Sequence, residues 1–153
     1  MRPLIISRPQ DLVELAERLF QRDPKVKFAY LFGSLAEGKV SPLSDIDLAV
    51  FLDGRLNHFD YRLTLIGQIA ESLRIERFDL IVLNNAPLLL SYEVVAKGRL
   101  LKDNPARRVL FETDVLRRYL DTAYLRSVQM GYMKRQLQEG TYFGQERARS
   151  GQA

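Results

Sequence analysis

Apolar residues recur with two different spacings along this chain, and the changes between them predict the order of helices and strands. A helical spacing is clearest between Leu12 and Phe20. Short apolar runs bounded by Gly, Pro or Asp are typical of strands. The predicted elements are a helix over 9–22, strands over 27–32, 45–52 and 77–83, a helical turn over 34–38, helices over 59–74 and about 87–97, an extended piece over 99–102, and a last helix from Pro105 to about Leu137.

This order predicts an α/β or α+β unit in which one small sheet packs against helices. The last helix is indicated by apolar residues at intervals of seven, and Gly131 inside it is a candidate break. We expect residues 1–104 to form the core and residues 105–140 to form a helical extension of the same domain. Residues 141–153 are polar and contain two glycines, so we expect a flexible tail.

The composition is that of a globular domain. The chain has 153 residues, of which 46% are hydrophobic and 27% charged, and these values exclude disordered and fibrous classes. No apolar run reaches the roughly 18 residues of a membrane span, so no membrane partner is expected. The absence of cysteine excludes disulfides and thiolate metal sites. The first six residues are too short for a signal-peptide core, and the expected compartment is the cytoplasm.

The net charge of +4 is concentrated in the C-terminal third. From Gly98 onward the sequence has eleven Lys and Arg against six Asp and Glu, whereas the first 97 residues have twelve against thirteen. Adjacent arginines, Arg107–Arg108 and Arg117–Arg118, lie on the last predicted helix. Two interpretations stay open: a solvated helix face, or a surface that binds an acidic protein partner. Nucleic acid is not expected as a direct ligand, because few aromatic residues are placed to stack on bases.

Gly33 and Ser34 follow the first predicted strand and begin the predicted helical turn. Because glycine has no Cβ, its backbone can approach a bulky anion closely. The turn that follows would direct free N–H groups at that anion, as helix N-termini do, and Ser34 adds a hydroxyl. This segment would suit the phosphates of a nucleoside triphosphate.

Three aspartates are the candidate metal ligands. Asp45 and Asp47 are two residues apart on a predicted strand, so their side chains share one face. Two adjacent carboxylates repel each other, and a divalent cation such as Mg²⁺ relieves this repulsion. Asp79 lies in an otherwise apolar strand, where a carboxylate needs a partner. Three carboxylates on neighbouring strands could hold two metal ions and stabilise both the attacking and the leaving oxygen.

Each of these features also has an ordinary structural explanation. An Asp-x-Asp pair on a strand is more often a solvated edge than a metal site. A single strand aspartate such as Asp79 is most often hydrogen-bonded to a turn. The order and placement of the features together favour the functional interpretation.

One motif resembles the signature of the DNA polymerase beta-like nucleotidyltransferase superfamily: Gly33-Ser34, then ten residues, then Asp45-Ile46-Asp47. The wider strings, Tyr30 to Gly38 and Ser44 to Val50, resemble more specifically the minimal nucleotidyltransferases (MNT), the antitoxin halves of HEPN/MNT toxin–antitoxin pairs. The resemblance covers most of residues 25–130.

The resemblance implies the polymerase beta-like fold, with a small mixed sheet, flanking helices and a long C-terminal helix. It implies an enzyme that transfers AMP from ATP to a tyrosine hydroxyl of a cognate HEPN ribonuclease toxin, and a hetero-oligomer with that toxin. Asp45, Asp47 and Asp79 would hold Mg²⁺, with two ions expected, and Asp79 would orient and deprotonate the incoming hydroxyl. The nucleotide-binding residues would be Gly33, Ser34, Lys39 and Ser44.

The sequence departs from the family at the turn after Gly33-Ser34. Members often carry a basic residue there, whereas this chain has Leu35 and Glu37. Lys39, Arg77 and residues of the last helix are candidates to contact the leaving pyrophosphate. The single histidine, His58, is expected at the surface or at a helix cap.

Two other functions stay open. One is a small-molecule nucleotidyltransferase of the aminoglycoside-modifying kind, although such enzymes usually carry a further domain for the acceptor. The other is an antitoxin that blocks its toxin by contact alone, with catalysis secondary or lost.

Overall fold

The computed structural model describes residues 9–33, 36, 46–73 and 78–140. The predicted helices and strands in this part of the chain are confirmed, with bounds that differ by at most one residue, whereas most of the predicted turn over 34–38 lies outside it. The elements are α1 (Pro9–Arg22), β1 (Val26–Phe32), β2 (Ile46–Leu52), α2 (His58–Leu73), β3 (Phe78–Val82), a 3₁₀ turn (Leu83–Asn85), α3 (Leu88–Lys97), β4 (Arg99–Lys102) and α4 (Pro105–Gln138).

The four strands form one mixed sheet in the order β3-β2-β1-β4. β1 is antiparallel to β2 and β4, whereas β2 and β3 are parallel. A parallel pair needs a crossover connection, and α2 provides it between β2 and β3. Because β3 is at one end of this order, one of its edges is not paired with any strand of the described sheet. The sheet and the long α4 confirm the predicted fold class.

α1 and α2 cover one face of the sheet. α1 has apolar residues at helical spacing, and Val13, Ala16 and Phe20 are buried in the core. α2 contributes Leu65 and Ile69, which are fully buried in the same core. From the sheet, the even-numbered residues of β2 and β3 face this layer: Ile46, Leu48, Val50, Leu52, Phe78, Leu80 and Val82.

The opposite face of the sheet packs against α3 and the beginning of α4. Phe28 stacks on Phe51 with ring centroids 4.8 Å apart, and Phe111 of α4 lies 5.6 Å from Phe28. Val94 of α3 and Tyr30 are buried in the same cluster. This face therefore has a largely aromatic core.

A hydrogen-bonded network fixes the beginning of α4 to β1. The Tyr30 hydroxyl donates to Glu112 Oε1 at 2.5 Å, and Arg108 donates to Glu112 Oε2 at 3.2 Å. Arg108 also donates to Asp103 Oδ1 at 2.6 Å. Burial, and then the hydrogen bond to Glu112, raise the pKa of Tyr30 well above its usual range. Arg108, a member of one of the two candidate arginine pairs, therefore stabilises the fold through these hydrogen bonds.

The chain divides into two compact units, residues up to Val115 and residues from Leu116 onward. The described part of the second unit is the remainder of α4, which continues through Gly131, so the candidate break is absent. Many large apolar side chains of this segment are exposed: Leu116, Leu120, Tyr124, Leu125, Val128, Met130, Tyr132, Met133 and Leu137. This segment therefore carries many exposed apolar side chains, a feature that is typical of contact surfaces.

Among the helices that the structure describes, none is both long enough and apolar enough to cross a bilayer.

Replacing Tyr30 with Phe should remove the hydroxyl bond to Glu112 and keep the buried ring. We expect a loss of about 1–3 kcal/mol in the free energy of unfolding at pH 7. The folded-state pKa of Tyr30 is raised, so its contribution is complete below roughly pH 10 and is lost as pH rises above that value. Urea melts at neutral and alkaline pH should show the gap between wild type and variant narrowing above about pH 10.

The matched control for this measurement is Tyr124→Phe, because the Tyr124 side chain is 75% exposed. It should leave the melts unchanged at both pH values. Equal effects of the two substitutions would contradict a special role of the Tyr30 network.

Candidate active site

The parallel pairing of β2 and β3 places Asp47 beside Asp79. The two residues are Cα partners in the strand register, and neighbouring strands lie about 4.8 Å apart. Their strand neighbours, such as Leu48 and Leu80, are buried against α1 and α2. Because side chains alternate along a strand, both aspartates belong to the opposite face of the sheet. The structure therefore brings together two of the three predicted carboxylates.

Gly33 directly follows β1 and lies next to Asp47. It has a φ of +77°, a conformation that other residues rarely adopt. A Cβ at this position would lie 2.1 Å from Asp47 Oδ2, which is far inside contact distance. The sequence predicts that Gly33 lets the phosphates of a nucleotide approach closely, and the structure shows a close approach of a different group, the Asp47 carboxylate. Glycine is required both for the turn and for the position of Asp47.

Arg62 of α2 lies near Asp79, a contact that sequence analysis did not identify. One terminal nitrogen of Arg62 is 4.0 Å from Asp79 Oδ1, and its Nε donates to the Leu80 carbonyl at 2.8 Å. The Asp79 side chain is 60% exposed, so this ion pair contributes little to stability. The effect of the pair is local: the hydrogen bond to Leu80 holds the positive charge of Arg62 next to Asp79.

His58 is the first residue of α2 and is half-buried. Its Nε2 lies 3.2 Å from the Asp53 carbonyl, and its Nδ1 lies 3.3 Å from the Asn85 side-chain nitrogen. If Asn85 donates to Nδ1, Nε2 carries the proton and donates to Asp53. His58 thus connects the start of α2 to the 3₁₀ turn after β3, in agreement with the expected position at a helix end.

Several predicted site residues lie outside the described part of the chain. These are Ser34, Lys39, Ser44 and Asp45, together with Arg77 as a candidate pyrophosphate contact. Within the described ranges, no group of three or more His, Cys, Asp or Glu side chains is arranged to hold a metal ion. Asp47 and Asp79 are nevertheless hard oxygen donors on one face. They fit Mg²⁺, which proteins bind through one or two carboxylates plus substrate phosphates.

Residues 14–107 match the family model described as polymerase beta, nucleotidyltransferase. The chain belongs to the polymerase beta nucleotidyltransferase family. The matched region includes Gly33, Asp47 and Asp79, so the carboxylate pair lies inside the segment that defines the family.

Relatives of this nucleotidyltransferase confirm the resemblance to the MNT proteins. The protein adenylyltransferase MntA of Shewanella oneidensis is 32% identical, over 63% of this chain and 68% of the relative. The protein adenylyltransferase MntA of Aphanizomenon flos-aquae is 29% identical, over 62% of this chain and 69% of the relative.

Solved structures of related proteins confirm the fold of this nucleotidyltransferase. A toxin–antitoxin structure with AMP-PNP has a TM-score of 0.64 at 27% identity and covers 82% of this chain and 99% of that one. A tri-AMPylated Shewanella oneidensis HEPN toxin in complex with MNT antitoxin gives a TM-score of 0.61 at 27% identity, covering 81% and 98%.

Replacing Gly33 with Ala should displace the Asp47 carboxylate and strain the backbone. We expect the free energy of unfolding to fall by about 1–3 kcal/mol, and nucleotidyl transfer to fall far more than the folded fraction does. Chemical denaturation and a nucleotidyl-transfer assay on the same samples measure the two effects.

Gly67→Ala is the matched control, since a Cβ there meets nothing within 4 Å and the residue lies inside α2. It should raise stability by about 0.5–1 kcal/mol and leave transfer unchanged. A Gly33→Ala variant with full activity would contradict the close contact with Asp47.

Proposed function

We propose that this nucleotidyltransferase is an antitoxin that transfers AMP from Mg²⁺–ATP to a tyrosine hydroxyl of a cognate HEPN ribonuclease toxin and thereby neutralises it. The observation that carries the proposal is the pairing of Asp47 with Asp79 on adjacent parallel strands, beside a glycine at the end of β1. The names of the relatives support a protein acceptor, because both are protein adenylyltransferases.

In this proposal the nucleotide binds where β1 ends. Gly33 and Ser34 would receive the phosphates, with Ser44 and Lys39 as further nucleotide contacts. Asp45, Asp47 and Asp79 would hold Mg²⁺, which neutralises phosphate charge and lowers the cost of developing negative charge in phosphoryl transfer. The carboxylates and the backbone of Gly33 would keep the α-phosphorus in a fixed position, and such positioning supplies a large part of the rate in reactions of this class.

The transfer step exchanges one phosphorus–oxygen bond for another. The acceptor oxygen attacks the α-phosphorus in line, the bond to the bridging oxygen of the β-phosphate breaks, and pyrophosphate leaves with that electron pair. The proton of the acceptor hydroxyl passes to the carboxylate of Asp79, which acts as general base. Asp79 suits this role because its side chain is 60% exposed and can be reached by an acceptor from outside the sheet.

The second unit is the proposed toxin-binding element. Residues 116–140 contain five Lys and Arg against two Asp and Glu, a net charge of +3. This excess disfavours pairing with a second copy and favours an acidic partner. The exposed apolar residues of the same helix would supply the buried part of the contact. Binding through this helix would add a steric component to neutralisation.

Asp47→Asn and Asp79→Asn should differ in their kinetic effects. Asp47→Asn removes a charge that would hold Mg²⁺, and we expect the loss of nearly all transfer and of Mg²⁺-dependent ATP binding. Asp79→Asn removes the proposed base, so transfer should fall at least about a hundredfold while ATP binding changes little. ATP-dependent mass gain on the toxin and calorimetric ATP binding separate the two effects.

Thermal melts provide the control for both variants. The fold should be retained, with stability unchanged or slightly increased because repulsion between carboxylates is relieved. Asp45→Asn should behave as Asp47→Asn does. Unchanged transfer in the Asp45 and Asp47 variants would rule out the proposed mechanism.

Reversing the charge of Arg117 and Arg118 together to Glu should weaken the toxin complex. Both side chains are exposed on α4, and charges at an interface act mainly on the association rate, so the defect should shrink as salt is raised. ATP binding and melting temperature should stay near wild type. Association kinetics with the purified toxin at several salt concentrations measure the effect.

The matched control reverses two exposed arginines of α1, Arg18 and Arg22, to Glu. This variant has the same change in net charge at a different surface and should associate normally. Equal slowing of both double variants would indicate a general charge effect, and normal binding by the Arg117/Arg118 variant would move the interface elsewhere.

A further inference from the structure

A groove lies along the uncovered edge of β3. Its volume is about 310 Å³, and it is bounded by the first turns of α2, by β3 and by the segment that follows the 3₁₀ turn. Asp79 is on its wall, together with Phe59 and Arg62 of α2. The groove therefore reaches Asp79, the outer member of the carboxylate pair, from the edge of the sheet.

The strand order places this groove opposite the proposed nucleotide site. Gly33 directly follows β1, Asp47 belongs to β2 and Asp79 to β3, and β3 is an end strand. From β1 towards the edge of the sheet, the turn at Gly33 comes first, then Asp47, then Asp79, and finally the groove. In-line transfer needs the acceptor oxygen and the leaving group on opposite sides of the phosphorus, and this order provides two opposite approaches.

Phe59 is the main apolar surface of the groove. It lies in the first turn of α2 and is 67% exposed, although a phenyl ring of this size is normally buried. Exposed aromatic rings beside polar groups are typical of contact sites, because a second ring can pack on them. A tyrosine side chain has the matching chemistry: an aromatic ring for Phe59 and a hydroxyl for Asp79.

The walls of the groove are held by hydrogen bonds. Asn84 bonds both backbone groups of Leu52, at 2.8 and 3.0 Å, and so fixes the 3₁₀ turn to the end of β2. His58 connects that turn to α2 through Asn85. Such a preformed site loses little conformational freedom when a ligand binds.

Arg62 restricts how an acceptor can bind at this edge. Its Nε donates a hydrogen bond to the Leu80 carbonyl, so a peptide strand that paired with this carbonyl would have to displace Arg62. The edge is therefore better suited to a side chain that enters the groove than to a peptide that extends the sheet.

We propose that the groove between α2 and β3 is the acceptor subsite, in which Phe59 packs against the tyrosine ring of the acceptor protein and directs its hydroxyl to Asp79. This inference rests on the proposed function and adds the location and the specificity residue for the acceptor. Phe59 is a positioning residue, since it touches the ring and not the reacting atoms.

The test compares Phe59→Ala with Leu63→Ala. Leu63 lies one turn further along α2 and is 51% exposed, but it does not line the groove. Phe59→Ala should raise the KM for the toxin about tenfold, with ATP affinity and melting temperature unchanged, and Phe59→Tyr should restore most of the loss. Leu63→Ala should behave as wild type. Equal KM values for the two alanine variants would overturn the assignment.

Photo-crosslinking tests the same site without relying on kinetics. A benzophenone-bearing phenylalanine at position 59 should crosslink to the toxin segment that contains the modified tyrosine, and the same group at position 63 should not. Crosslinks from position 59 to other segments only would overturn the subsite. If the wild-type protein transfers AMP to the toxin but the expected effects at position 59 are not observed, the subsite is wrong and the proposed function stands. If the wild-type protein transfers no AMP to the toxin, both the subsite and the proposed function are wrong.

Discussion

Two like charges placed side by side are the constraint on which the rest of this structure depends. Asp47 and Asp79 are register partners on parallel strands, so the sheet holds the backbones that carry these two carboxylates side by side. A parallel pair requires a crossover, and the crossover helix α2 brings Arg62 to Asp79. The antiparallel partner β1 is followed by Gly33, where the lack of a side chain leaves room for Asp47. Sheet topology, helix placement and one glycine thus all follow from holding this pair together.

The parts that could be predicted from sequence are those set by local pattern. Strand alternation was sufficient to give Asp47 a defined face, and an acidic residue inside an apolar strand was sufficient to single out Asp79. Helix α4 was predicted to within one residue of its observed end, because its apolar residues keep a regular spacing. Gly131 did not break it, since a glycine in a long helix costs only about 1 kcal/mol.

The parts that escaped prediction depend on packing between distant segments. Arg62 reaches Asp79 because of the way α2 lies on the sheet, and nothing in its neighbouring residues indicates this contact. Tyr30 and Glu112 are separated by 82 positions and meet only when α4 folds against β1. The groove beside β3 likewise exists only in the folded chain. For Asp45 and Ser34, which lie outside the described residues, the assignment remains a prediction from the motif.

The strand order also bears on how such a protein can diverge. Residues that would meet the nucleotide follow β1, whereas those that line the groove belong to α2, to β3 and to the segment after β3. The two sets share only the carboxylates between them. Substitutions in α2 can therefore accumulate as an acceptor surface changes, without disturbing the turn at Gly33. A lineage of such enzymes could follow a rapidly changing partner on one side of the sheet while the chemistry at its centre stays constant.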